Sequence, residues 1–296
     1  MRDLDEIKDS GPRMPDPKSV LLIGASGRTG GAILDLLAPR GLSITATYRT
    51  SRPGLTDEIT RHGATPVQAS LNDPATIQNL IASHDAAIFA TPVETCTAAA
   101  GSLCPGQPAV FISSNNVSIA TENTHYQLMA RAEQTIRKAA PQAAILRPTL
   151  IYGGPIEQTL LAWMRAIRRY PVLLRPWTRA LQQPIFYRDL AAAAVRGAVE
   201  PGWAGRTIAL AGPDTLTQAE LFDALFQATG TRRPVLPVPI PLARLAAQAG
   251  VRAGLLPPTL PTRLKQIHRD KTPQGPDVLI TETAFADGLK DLAARL

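Results

Sequence analysis

The feature that most constrains this chain is a short apolar run that ends in glycines at fixed spacing. Residues 19–24 read SVLLIG, and Gly24-Ala25-Ser26-Gly27-Arg28-Thr29-Gly30 completes the turn. An apolar run of this length, closed by glycine, reads as a strand buried on both faces. From Gly30 to Ala38 the residues Ile33, Leu34, Leu36 and Leu37 take helical spacing, and Pro39 and Gly41 stop them. Strand, G-x-x-G-x-x-G turn and helix in that order set free N–H groups and a positive dipole end at one point. The absent Cβ atoms let a pyrophosphate approach the backbone. The pattern therefore predicts a dinucleotide turn using Gly24, Ser26, Gly27, Arg28, Thr29 and Gly30.

Strand signals recur at 43–48, 65–69, 86–91, 108–113 and 143–147. Helical signals fall between them at 56–62, 75–83 and 126–140, the second starting at Asp73-Pro74. Alternation at this spacing means βαβ units: an α/β, Rossmann-type, doubly wound parallel sheet with helices on both faces. All strand C-termini then share one edge, where ligands bind. After Gly153 the rhythm changes. An amphipathic helix is expected at 157–169, then a stretch rich in proline and arginine to Pro184. An alanine-rich helix follows at 189–199 and a short strand at 207–211. A helix at 217–229 opens with a capping box of Thr217 and Glu220. Residues 233–241 hold four prolines and read as extended. The expected organisation is a loose leader at 1–17, a dinucleotide-binding domain at 18–155, and a substrate lobe at 156–296 that returns elements to the main sheet.

Composition excludes several classes. No run of 18 apolar residues occurs, so no membrane span is expected, and the charged, proline-containing start is unlike a secretory signal. A cytoplasmic setting is expected. The two cysteines, Cys96 and Cys104, have neither a second pair nor a histidine cluster beside them, so neither a metal site nor a disulfide is expected. The net charge of +7 comes from arginines, many of them between Arg165 and Arg188. Aromatic residues make up only 5% and do not interleave with the basic ones, which argues against nucleic acid and for a phosphate-bearing ligand.

The end of the second strand selects between nicotinamide cofactors. A carboxylate there would take the ribose 2′-hydroxyl and favour NAD. This chain has Tyr48-Arg49-Thr50-Ser51-Arg52 instead. Arg28, Arg49 and Arg52 are expected around a 2′-phosphate, which favours NADP and leaves NAD open.

Seven segments together resemble the short-chain dehydrogenase/reductase superfamily, in its extended or atypical branch of NAD(P)-dependent epimerase/dehydratases and NmrA-like proteins. They are GASGRTG, ATYR, VQASLNDP, VFISS, ILRPTLIYGG, QQPIFYRDLAAAAV and LAGPDTLTQAEL. The resemblance implies that Ser70 and Leu71, Ala90, Thr91 and Pro92, Ser113, and Pro148, Thr149, Leu150 and Ile151 line the cofactor. Ser70 stands where an aspartate is common. The sixth segment resembles a strand running into an aspartate-capped helix.

The superfamily's chemistry uses a serine, a tyrosine and a lysine four residues after the tyrosine. The resemblance points to Ser114 (or Ser113) for the serine and to Tyr126 for the tyrosine. Ala130 stands where the lysine belongs, and Arg131 follows one residue later. Aligning Arg131 with the lysine instead puts Gln127 at the tyrosine place. No register restores the pair. His125 is a substitute acid only if it leaves the solvent, and Arg147 reads as a structural anchor. Three readings stay open: an NADPH-dependent reductase of a small carbonyl or enone, a nucleotide-sugar epimerase or dehydratase, and a non-catalytic NADP-sensing or assembly protein. Similar proteins often pair through the helix of the tyrosine, which leaves a homodimer open.

Overall fold

The computed structural model describes residues 16–157, 159–254, 264 and 267–296. The expected leader lies, except for residues 16 and 17, outside the described residues. Among the described residues the strands are β1 (Ser19–Ile23), β2 (Ser43–Tyr48), β3 (Ala64–Gln68), β4 (Ala86–Phe89), β5 (Ala109–Ile112) and β6 (Ala144–Pro148). They continue with β7 (Ile151–Tyr152), β8 (Leu173–Pro176), β9 (Ile185–Phe186), β10 (Thr207–Ala211), β11 (Val235–Val238) and β12 (Asp277–Ile280). The helices are α1 (Gly30–Leu37), α2 (Leu55–Arg61), α3 (Pro74–Ala82), α4 (Thr97–Ala100), α5 (Asn116–Ile119) and α6 (Thr124–Ala139). After them come α7 (Thr159–Arg169), α8 (Tyr187–Val199), α9 (Gln218–Thr229), α10 (Ile240–Arg252) and α11 (Phe285–Ala293).

Eight strands form one parallel sheet in the order β12-β10-β6-β5-β4-β1-β2-β3. This is the doubly wound α/β sheet the alternation predicts. The chain starts in the middle, runs outward through β2 and β3, then crosses back to β4. Crossovers therefore diverge between β1 and β4, and the crevice at their C-terminal ends is the place where such sheets bind ligands. β1 carries apolar side chains on both faces. Val20 and Leu22 join the core that holds α1 and α8, while Leu21 and Ile23 join the core that holds α3 and α6. Both cores exclude water almost fully, as parallel sheets require.

Local signals place several helices. Asp73 caps α3, accepting from the Thr76 N–H at 3.3 Å, with Pro74 at the first turn. Thr217 and Glu220 close the capping box of α9 reciprocally. The resemblance to an aspartate-capped helix needs correction at α8. Its N-cap is Phe186, with no side-chain cap. Asp189 instead holds the Thr283 hydroxyl at 2.7 Å and the Thr283 N–H at 3.2 Å, tying α8 to the approach of α11.

The second half departs most from the sequence pattern. β10 and β12 enter the main sheet, while β7 pairs with β9 and β8 with β11 as separate two-stranded ladders. Between β5 and α6 the chain makes the single turn of α5. Among the described residues, no helix is long and apolar enough to cross a membrane. Among the same residues, no group of three metal-ligating side chains gathers. Both cysteines are free: Cys104 is exposed, and burial pushes the Cys96 thiol up to about 11.

Asp85 fastens the start of β1 and yields a test. Its carboxylate accepts from the Lys18 N–H at 2.8 Å and from the Ser19 N–H and hydroxyl, each at 2.9 Å. The Lys18 N–H, first among these donors, holds the carboxyl below its ordinary value. A carboxyl lowered on folding contributes stability above its unfolded value, about 3.9, and loses it as pH falls through the folded value. Asp85→Asn should therefore lower the urea midpoint near neutrality and converge on the wild type in acid. Parallel pH profiles for the two proteins would refute this.

Candidate functional site

The glycine turn sits at the switch point, and each glycine answers a steric demand. Gly24 has φ +97°, and a Cβ there would lie 2.7 Å from Thr91 Cγ2 and 2.8 Å from the Ala90 carbonyl oxygen. The turn is pinned to β2, because the N–H groups of Gly24 and Ala25 donate to the Thr47 carbonyl at 3.2 and 2.9 Å. At Gly30 a Cβ would meet the Ala25 carbonyl oxygen at 2.3 Å. Glycine alone lets α1 seat against the turn. Thr29 is the N-cap of α1 and makes no side-chain cap bond, so the first N–H groups of the helix have no capping side chain. Ser26 is exposed beside them. This arrangement fits an anion at a helix N-terminus with close backbone approach.

The three arginines expected around one phosphate are divided. Arg28 donates to the Ile151 carbonyl at 2.9 Å and lies 3.7 Å from Glu157. Glu157 is 2% exposed and also accepts from the N–H groups of Thr159 and Leu160, which fastens the start of α7. Arg28 thus clips the glycine turn to the segment after β6. Arg52 pairs with Glu58 at 2.5 Å. Arg49, at the end of β2, is exposed. Its carbonyl accepts from Gln68 at 3.3 Å, and its guanidinium has no partner among the described residues. The place of Arg28 in the turn suggests a phosphate ligand, but its side chain goes to Ile151 and Glu157. Sequence spacing does not report which way a side chain leaves a turn.

The remaining expected residues line the same sheet edge. Ser70 Oγ accepts from the Asn72 N–H at 3.2 Å, and Leu71 packs on the core under α3 and α6. The Ala90 N–H donates to the Ile23 carbonyl at 2.8 Å, Thr91 Oγ1 meets Cys96 Sγ at 3.1 Å, and the Pro92 carbonyl accepts from the Thr95 hydroxyl. Beyond β6, the Thr149 hydroxyl donates to the Gln183 carbonyl at 2.5 Å, and the Leu150 carbonyl accepts from Ile185 at 2.9 Å. Pro148 closes the strand, and its carbonyl accepts from the Asn115 N–H at 2.9 Å.

The serine pair splits by strand parity. Ser113 is buried, and its hydroxyl donates to Glu133 Oε1 at 2.5 Å. Arg147 holds the same carboxylate through Nε at 3.1 Å and through Nη2, and its Nη1 reaches Ser118 at 2.9 Å. Ser113 therefore serves a buried ionic cluster. Ser114 lies on the other face, half-buried, and accepts from the Asn116 N–H at 3.2 Å.

The Tyr126 phenol accepts from Asn116 Nδ2 at 3.1 Å, and the ring packs partly on the core. Ala130 packs there too, while Arg131 and Gln127 face solvent. His125 is exposed, 4.0 Å from Glu94. No lysine stands one turn along α6 from Tyr126.

Two residues escaped the sequence reading. Asn115 is 2% exposed; its Nδ2 donates to the Thr272 carbonyl at 2.7 Å, and its Oδ1 accepts from the Gln274 N–H at 2.9 Å. This clamps the segment around 271 across the cleft. Lys271 itself is held by a backbone bond to the Leu181 carbonyl at 2.8 Å. Arg28, Asn115, Asn116, Thr149, Leu150, Ile151 and Lys271 enclose a cavity of ≈ 160 Å³. It adjoins the glycine turn through Arg28. No local spacing links Lys271 to the other lining residues, so only tertiary structure reveals it.

Comparison with known proteins agrees with this geometry. Residues 16–102 match the NmrA-like family. A NAD(P)H azoreductase of Xenophilus azovorans is 24% identical over 256 residues, covering 84% of this chain and 86% of that protein. The mitochondrial NADH dehydrogenase [ubiquinone] 1 alpha subcomplex subunit 9 of Arabidopsis thaliana is 27% identical over 185 residues. That match covers 60% of this chain and 44% of the subunit, so this chain spans less than half of that relative. Among solved structures, one from the pinoresinol-lariciresinol and phenylcoumaran benzylic ether reductases has a TM-score of 0.73 at 13% identity, covering 95% of this chain and all of that one (100%). A nucleoside-diphosphate-sugar epimerase of Pseudomonas aeruginosa has a TM-score of 0.68 at 16% identity, covering 92% and 94% of the two chains. At such identity the structures show the fold. The chain has a Rossmann-type doubly wound α/β fold, shared with these reductase and epimerase structures, and its residues 16–102 match the NmrA-like family.

Proposed function

We propose that the switch-point cleft binds NADPH and that the protein is an NADPH-dependent reductase of a small carbonyl or enone. The observation that carries this reading is the glycine turn, with the α1 N-terminus open above it and the Arg28–Ile151 contact joining it to a cavity. In this reading Gly24, Ser26, Gly27, Thr29 and Gly30 hold the pyrophosphate. Arg49 takes the 2′-phosphate, with Arg52 held back by Glu58. Ser70 and Leu71 flank the adenine, Ala90, Thr91 and Pro92 the ribose and phosphates, and Pro148 to Ile151 the nicotinamide. The relatives named as NAD(P)H azoreductase and as ether reductases support a reductive role.

When bound, the nicotinamide supplies a hydride. The chain's own task is to place the acceptor and deliver a proton. In this reading Ser114 and Tyr126 serve the acceptor, with Asn116, which lines the cavity, orienting the Tyr126 phenol. Lys271, on the cavity wall, is a cation at the cleft, where α6 has no lysine one turn beyond Tyr126. Arg131, being exposed, plays at most a peripheral part. Tyr126→Phe should lower kcat by about 10²-fold, the usual size of a general-acid contribution. Lys271→Met should raise the Kd for NADPH by about tenfold, the worth of one charge-assisted contact.

The test is NADPH oxidation followed by absorbance with aldehydes, ketones, enones, quinones and azo dyes. Turnover lost in Tyr126→Phe supports the reading. Tight NADPH binding with no turnover on any acceptor favours the non-catalytic reading, which the missing Tyr-x-x-x-Lys pair also favours.

A further inference from the structure

We propose that the exposed apolar side chains of the β8–β11 ladder and of α10, which follows it directly in the chain, dock on an anionic lipid surface. They lie apart from the cleft, and nothing in the reductase reading requires them. The ladder of β8 and β11 sets Leu174 opposite Leu236, and both point outward, 61% and 54% exposed, while the preceding Leu173 is buried. Side chains alternate along a strand, so an outward leucine pair is a wet apolar surface rather than core. The chain next to β8 adds Tyr170 and Trp177, 52% and 64% exposed. The Trp177 N–H donates to the Val238 carbonyl at 2.7 Å, which fixes the backbone at this edge.

α10 starts two residues after β11 and repeats the pattern. Leu242 and Leu245 are 56% and 63% exposed, and Ala246 and Ala249 continue their stripe at helical spacing, also exposed. An amphipathic surface helix normally turns that stripe inward. Here, among the described residues, only Ala247 of this helix is buried.

Charge decides between occupants. Residues 163–180 contain five arginines and residues 231–254 contain four, with no aspartate or glutamate in either stretch; Arg165, Arg168, Arg169, Arg179, Arg232 and Arg252 are exposed, while Arg175, Arg233 and Arg244 are half-buried. A second copy of the chain, packed symmetrically, would set these arginines against one another. Nucleic acid would need stacking rings, and most of the exposed apolar side chains are leucines. Leucine, tryptophan and tyrosine among arginines are the composition of a segment that lies in the headgroup region of a membrane without spanning it.

The test is co-sedimentation of the full chain with vesicles of phosphatidylcholine, alone or mixed with phosphatidylglycerol, at low and physiological salt. The expected result is binding at least tenfold stronger on the anionic vesicles, weakened by salt. Trp203 is buried and Trp163 half-buried, so a blue shift of tryptophan emission on those vesicles that is lost in Trp177→Phe reports Trp177. Leu174→Ser/Trp177→Ser and Arg168→Glu/Arg169→Glu should each cut binding about tenfold, with thermal midpoint and NADPH affinity unchanged. Equal binding to neutral vesicles, no binding, or no emission shift in the wild type overturns the proposal. So does an acidic protein or a second copy that covers this face while vesicles do not bind.

Discussion

Gly30→Ala is expected to abolish dinucleotide binding. The added Cβ would lie 2.3 Å from the Ala25 carbonyl oxygen, 2.6 Å from the Ala25 carbonyl carbon and 2.6 Å from the Gly24 carbonyl oxygen. All three are backbone atoms of the turn itself, so no rotamer change relieves the clash. Either α1 lifts away or the turn opens, and both move the N–H groups that would hold the pyrophosphate. Overpacking of this kind costs about 1–3 kcal/mol in stability, and the Kd for NADPH should rise at least ~10²-fold. Gly27 is a graded comparison. A Cβ there would meet the Gly24 carbonyl oxygen at 3.2 Å, so Gly27→Ala should be the milder change. Calorimetric titration checks both, and a Gly30→Ala protein that binds as the wild type does would contradict the packing argument.

Arg147→Met is expected to be the most destabilising single change away from the turn. Glu133 is 2% exposed, and Arg147 holds both of its carboxylate oxygens. Without the guanidinium, the carboxylate stays buried with the Ser113 hydroxyl beside it. Breaking a buried pair on one side costs about 3–5 kcal/mol, because the remaining charge is uncompensated. For a chain of this size that lowers Tm by roughly 10 °C. The double variant Glu133→Leu/Arg147→Met should recover most of the loss, since no charge is then stranded. Thermal melts of the three proteins decide the matter. A double variant less stable than Arg147→Met would show that the pair contributes more than mutual neutralisation.

The legible parts of this molecule are those with local causes. β1, the glycine turn and α1 are consecutive, and their apolar spacing, glycines and stop signals all agree. Asp73 and the Thr217–Glu220 pair are read correctly because a cap acts within three residues. Strand parity was also available. Ser113 shares its face of β5 with Ala109 and Phe111, the face covered by α6, so its burial against Glu133 was readable from alternation. The illegible parts have distant causes. β7 and β9 have two residues each, too few for any period, and pair only because the chain returns from 152 to 185. Arg28 leaves its turn for a carbonyl 123 residues away. Asp189 has the position of a helix cap but binds Thr283. Lys271 reaches the cavity on a segment clamped by Asn115, and neither residue belongs to a motif.

The proposed NADPH site rests on Arg49 and the glycine turn. The most direct measurement is calorimetric titration of the wild type and Arg49→Ala with NADPH and with NADH. NADPH should bind at least tenfold tighter, and Arg49→Ala should remove about 1.4 kcal/mol or more of the preference. Equal affinity for the two cofactors, no binding of either, or a preference that survives in Arg49→Ala would contradict this reading.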